Sequence, residues 1–269
     1  MKLCALALLI SASAYGAGRP VPPSLNGIGI EQKLNAQVPL DTVFRDETGA
    51  SVPLRHFFGQ KPVLLAPVYY TCPMLCSQIL SGVVSGLRPL SLKPGRDFDI
   101  VAFSFDPSDT PQSAAAKRDQ YSHSYSRKAG TNGWHFLVGD QASIQALTQA
   151  IGFHYRWDPK NKMFVHASGV MLLTPEGRVA RYLYGVDYEP KDLKLGLIEA
   201  SHDRIGSPVD AVLLFCYHYD PATGKYGTDV IKLLRFAAAL TLVLLASAMF
   251  FLWRRDIRYH RAFKEVPRA

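Results

Sequence analysis

Val63-Leu64-Leu65-Ala66-Pro67-Val68-Tyr69-Tyr70-Thr71-Cys72-Pro73-Met74-Leu75-Cys76-Ser77-Gln78-Ile79-Leu80 changes character at Thr71-Cys72-Pro73. Before that point the run is apolar and β-branched behind Lys61-Pro62, the pattern of a buried strand. After it, residues 74–84 read as a helix, and Pro73 suits the first helical position because its missing N–H has no partner there. Cys72 then sits at the cap and Cys76 one turn on, at the i, i+4 spacing that brings side chains together. Free N–H groups and the helix dipole favour negative charge at that end, so the Cys72 thiolate is expected to form readily. Two thiols so placed can bind a soft metal or close a disulfide.

Working outward, residues 43–54 suggest two short strands around an acidic glycine turn. Arg96 to Phe105 reads as a second buried strand, and Pro111 to about Tyr125 as a helix. Trp134 to Val138 reads as a short strand, followed by a helix capped by Asp140 and running to about Ile151. Residues 163–184 read as one hairpin with a Pro175-Glu176-Gly177 turn, and Pro190 to Asp203 as a last amphipathic helix. This order predicts an α/β fold, a thioredoxin-like three-layer sandwich over residues 35–204.

Residues 1–17 have the charge, apolar run and small residues of a secretory signal peptide, with cleavage expected between Ala14 and Ala17. Cys4 leaves with it. Residues 18–34 form an extended lead-in rich in Pro, Gly and Asn. Residues 205–232 form a juxtamembrane segment. A transmembrane helix is expected over 233–253, since Phe236 to Trp253 is uncharged and spans about 27 Å at about 1.5 Å per residue. The basic tail 254–269 is then cytoplasmic, placing the main domain in the periplasm as a single-pass inner-membrane protein. The net charge of +8 is concentrated at that end: residues 18–229 carry 21 Lys and Arg against 20 Asp and Glu. That distribution argues against a nucleic-acid surface.

Thr71-Cys72-Pro73-Met74-Leu75-Cys76 resembles the TxCPxxC motif of the Sco/SenC family, the copper chaperones for cytochrome c oxidase assembly. Residues 104–111, Ser-Phe-Asp-Pro-Ser-Asp-Thr-Pro, are similar to that family's S-x-D-P-x-x-D-T-P segment. Val165-His166-Ala167-Ser168 resembles its histidine before a hairpin. The resemblance implies copper held by Cys72, Cys76 and His166, as Cu(I) with Cu(II) as a second state, destined for the copper A site of oxidase subunit II or another copper acceptor. Two features depart from the family pattern: the anchor is C-terminal, and a Cys216–His218 segment is added.

Each candidate also has a plainer explanation. A disulfide between Cys72 and Cys76 would close too short a loop to remove much unfolded-state entropy. The same thiols could instead serve a thiol-disulfide oxidoreductase that keeps the acceptor's cysteines reduced, or a peroxide-reducing enzyme. The metallochaperone reading is preferred, and it needs no catalytic cycle. His166, without the resemblance, would pass for a core histidine. Asp106 and Asp109 suit helix capping, the alternative being support of the cysteine loop or of thiol acidity. Cys216 reads as a buried small hydrophobe in a strand. Alternation would put His218 on its face, giving a possible secondary copper site. Tyr69, Tyr70, Phe103 and Phe105 read as core and rim, and His123, His135, His154 and His202 as surface or core.

Overall fold

The structure, a computed structural model, describes residues 27–72, 75–125, 131–202, 217–220, 225–228 and 238–254. In chain order the elements are β1 (Gly29–Ile30), β2 (Val43–Arg45), β3 (Ser51–Pro53), β4 (Val63–Val68), α1 (Leu75–Leu87), β5 (Asp99–Ser104) and α2 (Pro111–Tyr125). There follow β6 (Trp134–Leu137), α3 (Gln141–Ala150), β7 (Phe153–Asp158), β8 (Met163–His166), β9 (Gly169–Leu173), β10 (Val179–Tyr184), α4 (Pro190–Ala200), β11 (Tyr217–Asp220) and β12 (Lys225–Thr228).

The central sheet runs β10-β9-β4-β5-β6. β4, β5 and β6 are parallel, while β9 is antiparallel to both β4 and β10. Every residue of β4, β5 and β9 is buried, which is why these strands read as continuous apolar runs rather than alternating ones. Pro67 sits inside β4, where a missing N–H ordinarily breaks a ladder. Here the β9 ladder ends at Leu65, while Phe105 N still bonds Val68 O on the β5 side. The missing donor therefore faces a position with no strand beside it.

β4 to β5 to β6 step the same way across the sheet, so right-handed crossovers put α1 and α2 on one face. α1 packs on both α2 and α4, while α3 lies against β7. Helices thus flank a mixed sheet, the thioredoxin-like arrangement expected. α2 begins at Pro111 as read from the sequence, and the Asp140 side chain caps α3 by accepting from Ser143 N.

The stretch 163–184 is not one hairpin. Its last part is: β9 and β10 pair around the 174–177 turn. β8, however, pairs with β7 and joins the separate sheet β1-β7-β8. The chain changes sheets at Ala167-Ser168, within the His166-Ala167-Ser168-Gly169 break between two apolar runs.

The region read as a juxtamembrane linker contains the β11–β12 ribbon. Residues 238–254 form a helix that overlaps the expected membrane span over 238–253, and its large apolar residues are exposed, Leu242 and Met249 by 67% and 71%. Among the described residues no helix is long and apolar enough to cross a membrane. Residues 233–237, the signal region 1–17, most of the lead-in, the tail beyond 254, and Cys4 and Cys216 lie outside the described residues.

α1 is locked by contact between backbones. A Cβ on Gly82 would stand 1.9 Å from Val186 O, and one on Gly86 would stand 2.5 Å from both Tyr188 O and Leu193 Cδ1. Alanine would gain about 1 kcal/mol of helix propensity, but neither backbone oxygen can move aside. Gly82→Ala is therefore expected to destabilise by about 1–3 kcal/mol net, read as a lower urea midpoint, while Ser81→Ala on the exposed side stays near wild type.

Candidate metal centre

β4 ends at Val68, and the backbone donors released there are taken up by side chains. Tyr69 N donates to Cys76 Sγ (3.3 Å), Tyr70 N to Asp109 Oδ2 (2.7 Å), and Cys76 N to Cys72 Sγ (3.4 Å). The last is one of the N–H groups that a helix leaves unpaired in its first turn, aimed at the sulfur the sequence placed at the cap. Cys72 and Cys76 are both buried and are not joined in a disulfide. Pro73 and Met74, between them, lie outside the described residues.

His166 closes the site from the other sheet, at the end of β8 opposite Tyr155. Its Nδ1 lies 2.8 Å from Ala167 O, and because a carbonyl only accepts, Nδ1 carries the proton. Nε2 is left as a lone-pair donor, 3.6 Å from Cys76 Sγ. This backbone anchor fixes the ring and tautomer in the way usual for metal-binding imidazoles. The ligand atoms of Cys72, Cys76 and His166 all lie within 4.8 Å of one another. Three ligands about 2.0–2.3 Å from one ion would stand roughly 4 Å apart, so little movement is needed to hold one.

The surroundings are apolar. Phe105 lies 5.0 Å from the His166 ring, and Phe153 and Tyr69 each 6.0 Å. A cavity of about 160 Å³ opens beside the site, lined by Tyr69, Cys72, Leu75, Met163, Phe164, Val165 and His166. The hydrogen bond with Cys72, followed by burial, pushes the Cys76 thiol far above its ordinary range. Cys76 is therefore protonated at neutral pH until something displaces the proton.

The two aspartates have different contacts. Asp106 Oδ1 accepts from Ser108 N and Ser108 Oγ within a local turn. Asp109 reaches across to the cysteine loop at Tyr70 and also accepts from Ser104 Oγ at 2.6 Å. The N-terminus of α2 is capped by Thr110, whose Oγ1 accepts from Ser113 N. Of the other histidines, His135 is packed on Phe57, and His123, His154 and His202 lie beside Asp119 O, Glu31 and Glu176. Among the described residues Cys72, Cys76 and His166 are the one group with a metal-binding arrangement. Cys216 lies outside those residues, and His218 is placed only as a backbone position on β11.

The chain belongs to the SCO1/SenC family, whose model matches residues 33–195. It resembles a protein of Aquifex aeolicus VF5 whose name suggests electron transfer, at 28% identity and TM-score 0.56, over 64% of this chain and 96% of that one. A SCO1/SenC family lipoprotein from Bacillus anthracis str. Ames is 18% identical with TM-score 0.51, over 65% and 98%, a likeness of fold. Arabidopsis thaliana ScoI, solved with copper bound, is 19% identical with TM-score 0.48, over 60% and 95%. No curated protein matches the chain.

The Asp109–Tyr70 contact joins residues far apart in sequence, and no local pattern announces it. Asp109→Ala leaves the buried Tyr70 N–H and Ser104 hydroxyl without their acceptor, and is expected to cost about 1–3 kcal/mol in denaturant unfolding. Asp109→Asn can keep its oxygen on both donors and turn its amide toward Ser113 Oγ. Burial raises the Asp109 pKa above its ordinary value. The associated stability is present below the unfolded-state value and is lost as pH rises through the folded one. The asparagine variant, which never ionises, should therefore gain on wild type as pH goes from acid to neutral in the same assay.

Proposed function

We propose that this protein is a copper metallochaperone, holding Cu(I) on the thiolates of Cys72 and Cys76 and on Nε2 of His166. The observation that carries this reading is the convergence of those three atoms within 4.8 Å, with neither cysteine in a disulfide and the imidazole tautomer fixed. Two sulfurs and one imidazole are a soft donor set, which selects Cu(I) over hard cations. Membership of the SCO1/SenC family points the same way. The chemistry is ligand exchange: an acceptor's donor atoms enter beside the ion as the chaperone's donors leave.

The acceptor in this proposal is the copper A site of cytochrome c oxidase subunit II. The domain is periplasmic after removal of the signal peptide, tethered by the apolar segment 233–253 with the basic tail in the cytoplasm. Support comes from that tail and from the exposed apolar surface along 238–254, which water solvates poorly. Tethering keeps the domain close to a membrane-bound acceptor and raises its effective concentration. The hydrogen-bonded thiol pair supports a second reading, a thiol-disulfide reductase acting on the acceptor's cysteines.

Competition titration of the reduced protein with a Cu(I) chelator tests the assignment. One Cu(I) per chain is expected. Cys72→Ser or Cys76→Ser should weaken binding beyond the 10- to about 100-fold typical of losing an outer partner, and His166→Ala should weaken it less. Unchanged affinity in both cysteine variants would sink the proposal. Binding must also expel the Cys76 proton, so apparent affinity should fall about tenfold for each unit the pH is lowered, per proton displaced. A disulfide reductase rate that survives while copper binding is lost would favour the second reading.

A further inference from the structure

The cavity beside the three donors has a shape and chemistry of its own. It measures about 160 Å³ and, of the donors, is lined by Cys72 and His166 but not by Cys76. A group entering it therefore meets the ion on its Cys72–His166 side. Both cysteines are buried, whereas Leu75, Phe164 and His166 in the cavity wall are half-buried, so this is the side a partner can reach. Apart from Tyr69 and the two donors, the described lining residues are wholly apolar. The rings of Tyr69 and Phe164 meet edge to face in that wall, 5.5 Å apart.

We infer that this cavity receives the side chain of a methionine presented by the copper acceptor, whose thioether joins the ion as an added donor at the start of transfer. The inference rests on the copper reading of the site. Size permits it: an apolar cavity of about 150 Å³ admits benzene, and an unbranched methionine side chain is no bulkier. Chemistry then selects it. A carboxylate or a protonated imidazole would lose its hydration in so apolar a space without compensation. A thiol must shed a proton before it serves as a metal ligand. A thioether is neutral, has no proton to lose, packs favourably against aromatic rings and is a soft donor suited to Cu(I). In the entry step one copper–sulfur bond forms and none breaks, copper stays Cu(I), and no proton moves.

The experiment titrates the full-length reduced protein, in detergent, with three peptides of the form acetyl-Gly-X-Gly-amide, where X is methionine, norleucine or histidine. Norleucine keeps the length of methionine and replaces its sulfur by a methylene. Binding is read from the NMR signals of the Leu75 methyls and the Phe164 ring. In the metal-free protein only size and apolarity count, so norleucine should bind at least as well as methionine. With Cu(I) bound, the methionine peptide should become the tightest of the three by about tenfold or more. Its selenomethionine form should then show a copper–selenium distance in X-ray absorption, which no sulfur of the protein can imitate. Leu75→Phe narrows the cavity and should weaken the methionine peptide about tenfold. If that variant loses Cu(I), the three peptides on the wild-type protein decide alone. Cu(I)-loaded protein that binds methionine and norleucine equally, or histidine more tightly, overturns the inference while leaving the copper reading intact. A protein that takes up no Cu(I) fails the copper reading itself, and thioether entry falls with it.

Discussion

A chain that leaves a fully buried strand and restarts as a helix must find acceptors for the backbone N–H groups freed at the turn. Here sulfur and carboxylate supply them. Tyr69 N goes to Cys76, Tyr70 N to Asp109 and Cys76 N to Cys72. An unpaired buried donor costs about 1–3 kcal/mol, so the positions of both sulfurs are set by the demands of the backbone. The two thiols are structural acceptors in the same conformation that makes them a pair of metal donors. His166 then needs only to arrive from the neighbouring sheet with its ring already fixed.

The environment governs how the site exchanges protons. Phe105, Phe153 and the ring of Tyr69 surround the imidazole, and an apolar shell of this kind disfavours isolated charge. The hydrogen bond with Cys72 chiefly keeps the proton on Cys76, burial adds to it, and repulsion from a neighbouring thiolate adds a smaller part. A cation arriving between the sulfurs relieves both penalties at once. Cys76 therefore becomes anionic only when a positive ion compensates it.

Much of this was legible in the sequence because it rests on local rules. A proline opens α2, Asp140 caps α3, and an apolar run ends at a Cys-Pro turn with sulfurs one helical turn apart. The histidine was found through its motif, since one imidazole on a strand has no signature of its own. β7 went unread although Phe153, Tyr155 and Trp157 alternate with His154, Arg156 and Asp158 in strand rhythm. His166-Ala167-Ser168-Gly169 interrupts the apolar runs 163–165 and 170–173, and reading across that break hid the corner at Ala167-Ser168 and the different partner of β8. Asp109 acts through contacts across the fold, which short-range periodicity does not encode.

The central position of β4 also bears on how the molecule is made. One of its neighbours, β9, comes about a hundred residues later in the chain, and non-local pairings of this kind are slow to form. Cys72 and Cys76 leave the ribosome well before His166, Phe164 and the 186–188 segment that wedges against α1. In a nascent chain the thiols have neither their histidine nor their aromatic shell. The interval between synthesis of α1 and closure of the sheet is thus the period when the cysteine pair is most open to oxidation or to a stray metal. A cell that relies on this site has reason to keep that interval short.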